Sequence, residues 1–283
     1  MWLSWEVASQ AALVILIVVM VADLTVPANG DRRLLGLVTI AEETARVLVL
    51  YSLWQFSRSK AITKVAGAME HGRWLWNLEQ SMHLPSELAL QQAFISHRVA
   101  MQFLNIYYAT MHVPMMGAVL IWLFWRYRDQ YVNVRNVLAL TIAGCVTIQL
   151  IPLAPPRLMP GLGFVDAGLV YGQSVYGTGG SGISNQLAAM PSQHYAWSFL
   201  AAIAIVRISR SRWRWLAILH PLLTTLAVTV TANHWWLDGV VAAMVMGVAA
   251  AIQFGAVAVA TGLRSANPWP TVRPLSPAIT SDV

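Results

Sequence analysis

The sequence predicts an all-α, polytopic membrane helical bundle, on three observations. The chain is 57% hydrophobic and only 11% charged, whereas a soluble domain carries about 25% charged residues. Its apolar residues gather in several runs long enough to cross a bilayer, which takes roughly 20 helical residues each. Those runs repeat with helical period, and the alternating ten-residue strands of a membrane barrel are missing.

Seven spans follow, at 8–27, 35–57, 100–124, 136–153, 189–206, 213–232 and 239–262. The first has the position of a signal peptide, but "MWLSWEVASQ" has no basic leading region and no small-residue cleavage site stands out, so it is expected to be a retained helix. The second carries Glu42 and Arg46 four residues apart, an internal ion pair that lets the helix insert. Residues 61–99 are amphipathic. "AMEHGRWLWNLEQSMHL" sets Trp74, Leu75, Leu78 and Met82 on one side and Glu70, Arg73 and Glu79 mainly elsewhere, as in an interfacial helix. Residues 263–283, with four prolines, read as a disordered tail. The domain plan is therefore an N-terminal transmembrane helix and short loop (1–34), a membrane-embedded core (35–262) and the tail.

Loop charges set the orientation. Arg126, Arg128 and Arg135, the four arginines of "RISRSRWR" (207–214), and Arg264 and Arg273 mark the cytoplasmic side. The 154–188 loop, with Arg157 and Asp166, and the 233–238 turn, with Asp238, fall on the other side of the cell membrane. Arg58, Lys60 and Lys64 run against this assignment. The net charge of +6 bears on orientation; there is no basic, aromatic-studded domain to hold nucleic acid. Cys145 is the single cysteine, which excludes a disulfide framework or cysteine metal site within the chain.

Ionisable groups beside membrane spans are costly and mark function by default. Three such clusters fall on the extracytoplasmic side. "PLAPPRLMP" (152–160) ends the fourth span with Arg157, "AAMPSQHYAWS" (188–198) opens the fifth with Ser192 and His194, and "TANHWWLDGV" (231–240) joins the sixth to the seventh with His234 and Asp238. Each suits phosphate chemistry. Arg157 offers a rigid fork of donors to phosphate oxygens. Pro191 suits a first helical turn, so Ser192 and His194 sit near a helix N-terminus that favours an anion. His234 and Asp238 are four apart and share a helix face. A carboxylate on one imidazole nitrogen leaves the other free to attack, and a second histidine can protonate a leaving oxygen. A two-histidine, one-carboxylate metal site from His194, His234 and Asp238 is the competing reading; an adjacent arginine would repel its cation.

The run "APPR … PSQH … NHWWLD" resembles the type 2 phosphatidic acid phosphatase superfamily, which includes vanadium haloperoxidases. The closer likeness is to the branch of fungal inositol phosphorylceramide synthase and its bacterial relatives, and "WNLEQ" (76–80) and "NIYYATMH" (105–112) resemble that bacterial branch. The likeness covers roughly residues 38–262. It implies a six-helix phosphatase-type core, formed by the second to seventh spans, plus one extra N-terminal helix. It also implies His234 as a nucleophile forming a phosphohistidine, Asp238 orienting it, His194 as acid and then base, Arg157 and Ser192 holding phosphate oxygens, and no metal or other cofactor.

Two positions depart from the superfamily's fuller motifs. Leu150 stands where a lysine is expected, and Ala227 and Val228 where a Ser-Arg pair is expected. The synthase-like branch tolerates both, and Arg98 is a candidate substitute cation. Tyr107, Tyr108 and His112 either line a lipid pocket or form a packed polar cluster. "GTGGSG" (177–182) lacks the lysine and spacing of a nucleotide loop and reads as a lid or a connector. His220, before Pro221 within the sixth span, reads as packed.

The expected activity is cleavage of a lipid phosphoester or phosphoanhydride through a phosphohistidine at the extracytoplasmic face. The substrate is a phospholipid or polyprenyl phosphate. The second acceptor is water for a phosphatase, or a lipid or polyol hydroxyl for a phosphotransferase. The alternatives are a membrane transporter, against which stand the absence of repeats and of paired broken helices, and a catalytically silent relative on the same fold.

Overall fold

The computed structural model describes residues 4–25, 31–59, 65–174 and 186–266. It is an all-α polytopic bundle. Its helices are α1 (Trp5–Thr25), α2 (Arg32–Ser59), α3 (Val65–Ser81), α4 (Glu87–Ile95), α5 (Arg98–Thr110), α6 (His112–Arg126), α7 (Arg128–Ile148), the short α8 (Ala167–Val170), α9 (Gln193–Ile208), α10 (Leu219–Val230) and α11 (Trp236–Ala266). Two 3-10 turns, Pro156–Leu158 and Arg212–Ile218, precede α8 and α10. The segment 177–182 and the tail beyond 266 lie outside the described residues, as do Lys60 and Lys64.

The chain forms two compact units, residues up to 57 with those from 257, and residues 58–256. In the first, α1 buries only Ala8, Ala12 and Val19 and turns Leu13, Val14 and Val18 outward, the pattern of a helix whose solvent is lipid. Arg46 pairs with both Glu42 and Glu43, so the expected internal ion pair is present and gains a second carboxylate.

Among the described residues, four helical segments are long and apolar enough to cross a membrane: α1, α7, the run from Arg212 to Val230, and α11 from Trp236 to Val259. The pair α5 and α6 makes a fifth, bent by 51°. The seven expected spans all fall on helices, five of them in this set, and some are reshaped. The 35–57 span is helical within α2, but Glu42, Glu43 and Arg46 at mid-helix keep it out of the apolar set. The 189–206 span is met by the 16 residues of α9, because 187–192 is a turn, a bridge residue and bends rather than helix. The continuous 100–124 helix breaks at Met111. Pro114 is the cause, since it has no N–H to offer the Thr110 carbonyl and its ring crowds that carbonyl.

Helix α3 also faces differently than expected. Ala68, Gly72, Leu75 and Glu79 are buried, at helical spacing, while Trp74 and Met82 are exposed. That inward face packs on the loop after α7. A Cβ on Gly72 would lie 2.7 Å from Met159 Sδ and 3.0 Å from the Ala154 carbonyl, so glycine lets the helix close on the loop. The Ala154 N–H donates to the Ala68 carbonyl (3.0 Å), His71 Nδ1 lies 2.7 Å from the Pro152 carbonyl and Arg73 donates to the Pro160 carbonyl (2.9 Å). Leu75, Leu153, Ala154, Met159, Ala189 and Trp235 share one apolar cluster beneath the loops described next.

Candidate active site

Three loop segments, at 152–160, 187–192 and 231–235, are tied together through their backbones. A single parallel bridge joins Leu153 to Ala188, with the Leu153 N–H donating to the Leu187 carbonyl (2.7 Å) and the Ala189 N–H to the Leu153 carbonyl (3.2 Å). The Arg157 N–H donates to the Ala232 carbonyl (2.9 Å) and the Ser192 N–H to the Asp238 carbonyl (3.3 Å). The three polar clusters that the sequence placed on one side therefore meet.

Arg157 sits on a one-turn 3-10 helix begun by Pro155 and Pro156, whose fixed backbone angles preset it. The guanidinium is buried. Nε donates to Asn233 Oδ1 (2.8 Å), and Nη1 donates to Asp166 Oδ2 (2.9 Å) and Gln186 Oε1 (3.0 Å). A phosphate oxygen reaching Arg157 would share this fork with Asp166.

Ser192 is the N-cap of α9. Its buried Oγ accepts the Tyr195 N–H (3.4 Å), leaving its own hydroxyl proton to donate. His194 follows in the first turn. Its ring stacks on Tyr108 (centroids 4.4 Å apart, planes 26° apart) and lies 4.3 Å from the His112 ring and 5.5 Å from the His234 ring. The bend at Met111 puts His112 at the start of α6. Tyr108 and His112 thus belong to the polar cluster around His194. Tyr107 points away, to His220.

Helix α10 ends in a Schellman turn. The Asn233 N–H donates to the Val228 carbonyl (3.0 Å) and the Ala232 N–H to the Thr229 carbonyl (2.9 Å). Ala232 occupies the left-handed position (φ 54°) that usually takes glycine. The turn aims His234 at the site. The expectation that His234 and Asp238 share a helix face is corrected here, because α11 begins at Trp236 and His234 precedes it. Asp238 lies in the first turn and reaches back. Its Oδ2 accepts the Trp235 N–H (3.0 Å) and lies 3.1 Å from His234 Nδ1. His234 Nδ1 is also 2.9 Å from the Ala189 carbonyl.

Both neighbours of Nδ1 are acceptors, so in the neutral ring Nδ1 carries the proton and Nε2 the lone pair. Nε2 is buried with no hydrogen-bond partner among the described residues. Asp238 is fully buried. A Cβ at Gly239 would meet the Tyr195 ring at 3.1 Å, so glycine lets α9 close on this turn.

The departures from the fuller motifs have structural counterparts. Leu150 is 62% exposed, and Ala227 and Val228 are fully buried inside α10. Arg98 is exposed at the start of α5. No group of three or more His, Cys, Asp or Glu side chains fit to hold a metal occurs among the described residues. Sequence reasoning missed Asn233, Gln186 and the partnership of Asp166 with Arg157. Asn233 lies inside the quoted "TANHWWLD" and was open to notice as a polar neighbour of His234. The Asp166 contact spans nine residues of irregular chain and has no periodic signature.

The structure is a polytopic helical bundle whose loops gather a buried arginine, bonded to Asn233, and the adjoining His234–Asp238 pair. The chain belongs to the PAP2 superfamily, whose family model matches residues 73–252, and so to the type 2 phosphatidic acid phosphatases and their relatives, with a phosphatase-type function. Nothing among curated proteins or solved structures matches the chain.

Proposed function

We propose that this protein cleaves a lipid phosphoester or phosphoanhydride through a phosphohistidine on His234, at the extracytoplasmic face of the cell membrane. The observation that carries the reading is the state of His234, with Nδ1 held by Asp238 and Ala189 and Nε2 buried, unpartnered and beside His194. Nε2 attacks phosphorus, and the bond from phosphorus to the leaving oxygen breaks as His194 donates a proton to that oxygen. The phosphorylated ring is a cation, which the buried Asp238 carboxylate stabilises. His194, now neutral, takes a proton from the second acceptor, whose oxygen displaces His234 from phosphorus. Both histidines return to their starting states. Arg157 and the Ser192 hydroxyl hold phosphate oxygens throughout.

Water as second acceptor gives a phosphatase, and a lipid or polyol hydroxyl gives a phosphotransferase. The missing cations at 150 and 228 favour the inositolphosphotransferase-like branch. The test uses detergent-purified protein with labelled phosphatidic acid, inositol-bearing phospholipid and polyprenyl diphosphate, with and without diacylglycerol or inositol. Turnover that disappears in His234→Ala is expected, with free phosphate or a new phosphorylated product identifying the acceptor. Equal turnover in the two proteins would overturn the proposal.

A further inference from the structure

The "WNLEQ" segment contributes a feature that the phosphohistidine scheme leaves unused. Glu79 of α3 and Glu87 of α4 are 0% and 1% exposed, although a carboxylate is among the costliest groups to bury. Both point at the start of the helix that carries Asp238. The Leu237 N–H donates to Glu79 Oε1 (2.8 Å) and the Trp236 N–H to Glu87 Oε1 (3.3 Å), while the Trp235 N–H donates to Asp238 Oδ2 (3.0 Å). Three successive N–H groups, which the N-terminus of a helix leaves without helical acceptors, are thus taken by three carboxyl groups from three different helices.

The second oxygens of the two glutamates, Glu79 Oε2 and Glu87 Oε2, are both buried with no hydrogen-bond partner among the described residues. Two bare carboxylates buried side by side repel each other and lack solvation, and one proton held by the pair relieves both costs. Burial first, and the neighbouring Glu87 second, push the Glu79 carboxyl up to about 9. In that state Glu79 accepts from Leu237 through its carbonyl oxygen and has a hydroxyl to offer Glu87, while Glu87 accepts from Trp236.

We infer that Glu79 and Glu87 are positioning residues for the reaction: a one-proton carboxyl pair that fixes the first turn of α11, and through it the contact of Asp238 with His234 Nδ1. Without the pair, the N–H groups of Trp236 and Leu237 lose their acceptors. The only other carboxylate in that turn is Asp238, and recruiting it would draw Oδ2 off the imidazole. The inference deepens the phosphohistidine reading and rests on it for its meaning, but its test needs no turnover.

A one-proton pair makes a specific demand on amide variants. Glutamine has a carbonyl to accept and an NH2 to donate, so either E79Q or E87Q supplies what a one-proton pair supplies: two acceptors for the helix start and one donor between the two side chains. E79Q/E87Q does not, because it removes both glutamate carboxyls and leaves an NH2 group with nothing to accept it. Glu79→Ala removes the Leu237 acceptor outright.

The experiment is NMR of 15N-histidine-labelled, detergent-solubilised full-length protein. It follows the Nδ1–H proton of His234, assigned by its loss in His234→Gln. The expected result is a downfield, exchange-protected line in the wild type that persists in E79Q and in E87Q. It should be lost or shifted upfield in Glu79→Ala and in E79Q/E87Q, in protein that still elutes as a folded species. If Glu79→Ala does not fold, the double amide, which keeps the side-chain volume, carries the test alone. A wild type without the line, or a double amide with the wild-type line, overturns the inference. Absence of phosphate on His234 during turnover, with the line behaving as expected, overturns the phosphohistidine reading and leaves the positioning role standing.

Discussion

Two buried histidines in this bundle, His220 and His234, differ in what meets their second nitrogen. His220, in the first turn of α10, has Nδ1 2.6 Å from the Tyr107 hydroxyl, which also lies 3.2 Å from the His220 carbonyl and 3.4 Å from Thr224 Oγ1. Its contacts are hydroxyls, and it lines an apolar cavity of about 250 Å³ with Met111, Met115 and Ala202. His234, beyond the other end of the same helix, has a fully buried carboxylate 3.1 Å from Nδ1 and a second histidine ring with its centroid 5.5 Å away. Burial alone therefore does not make a histidine reactive. In the proposed mechanism the difference is a carboxylate that stabilises the charged ring, together with a partner that can exchange the leaving group's proton.

The largest expected effect breaks the comparison at its centre. His234→Asn should lower turnover of a cleaved lipid phosphate by about 10³-fold or more, the scale of removing a nucleophile from a catalytic unit. His220→Asn should leave turnover within about threefold of wild type, since no step uses that ring. Comparable losses in both, measured per folded molecule, would erase the distinction.

Next in size is Arg157→Lys. Lysine keeps the charge but cannot hold Asn233, Asp166 and a phosphate oxygen at once with a planar fork, so kcat/KM should fall about 10–100-fold.

A smaller effect concerns pH. In the folded protein Glu79 keeps its proton up to about 9, against an ordinary value of 4.5. A group raised in this way contributes its full stability below about 4.5 and loses it progressively as pH rises toward 9. The thermal midpoint in detergent should therefore fall from pH 5 to pH 8, and E79Q, which has no proton to lose, should flatten that fall. An identical slope in wild type and E79Q would show that the carboxyl pair does not hold its proton. The smallest effect lies on the His220 side, where Tyr107→Phe should cost about 1 kcal/mol of stability through one lost hydrogen bond and spare the activity.

Much of this architecture was legible in the sequence. Arg157, Ser192, His194, His234 and Asp238 could be brought together because loop charges assigned their segments to one side, and the structure joins those segments by backbone hydrogen bonds. Other features were not legible. On an amphipathic helix Glu79 reads as a solvent-facing carboxylate, and nothing local shows that its acceptors are needed by Leu237, 158 positions away. The break at Met111 had a local signal in Pro114, which the strong apolar run around it masked. His234 and Asp238 were paired by a helical spacing that the structure does not use. Their contact forms across a helix start, where a capping carboxylate meets the residue just before the helix.

The most direct measurement is brief incubation of the protein with 32P-labelled lipid phosphate from the panel above, followed by denaturation and analysis of the protein-bound label. The account predicts label that is stable in base and labile in acid, located on the peptide containing His234, and absent from His234→Ala. Substrate turnover with no protein-bound phosphate in rapid-quench samples, or label that persists in His234→Ala, would contradict it.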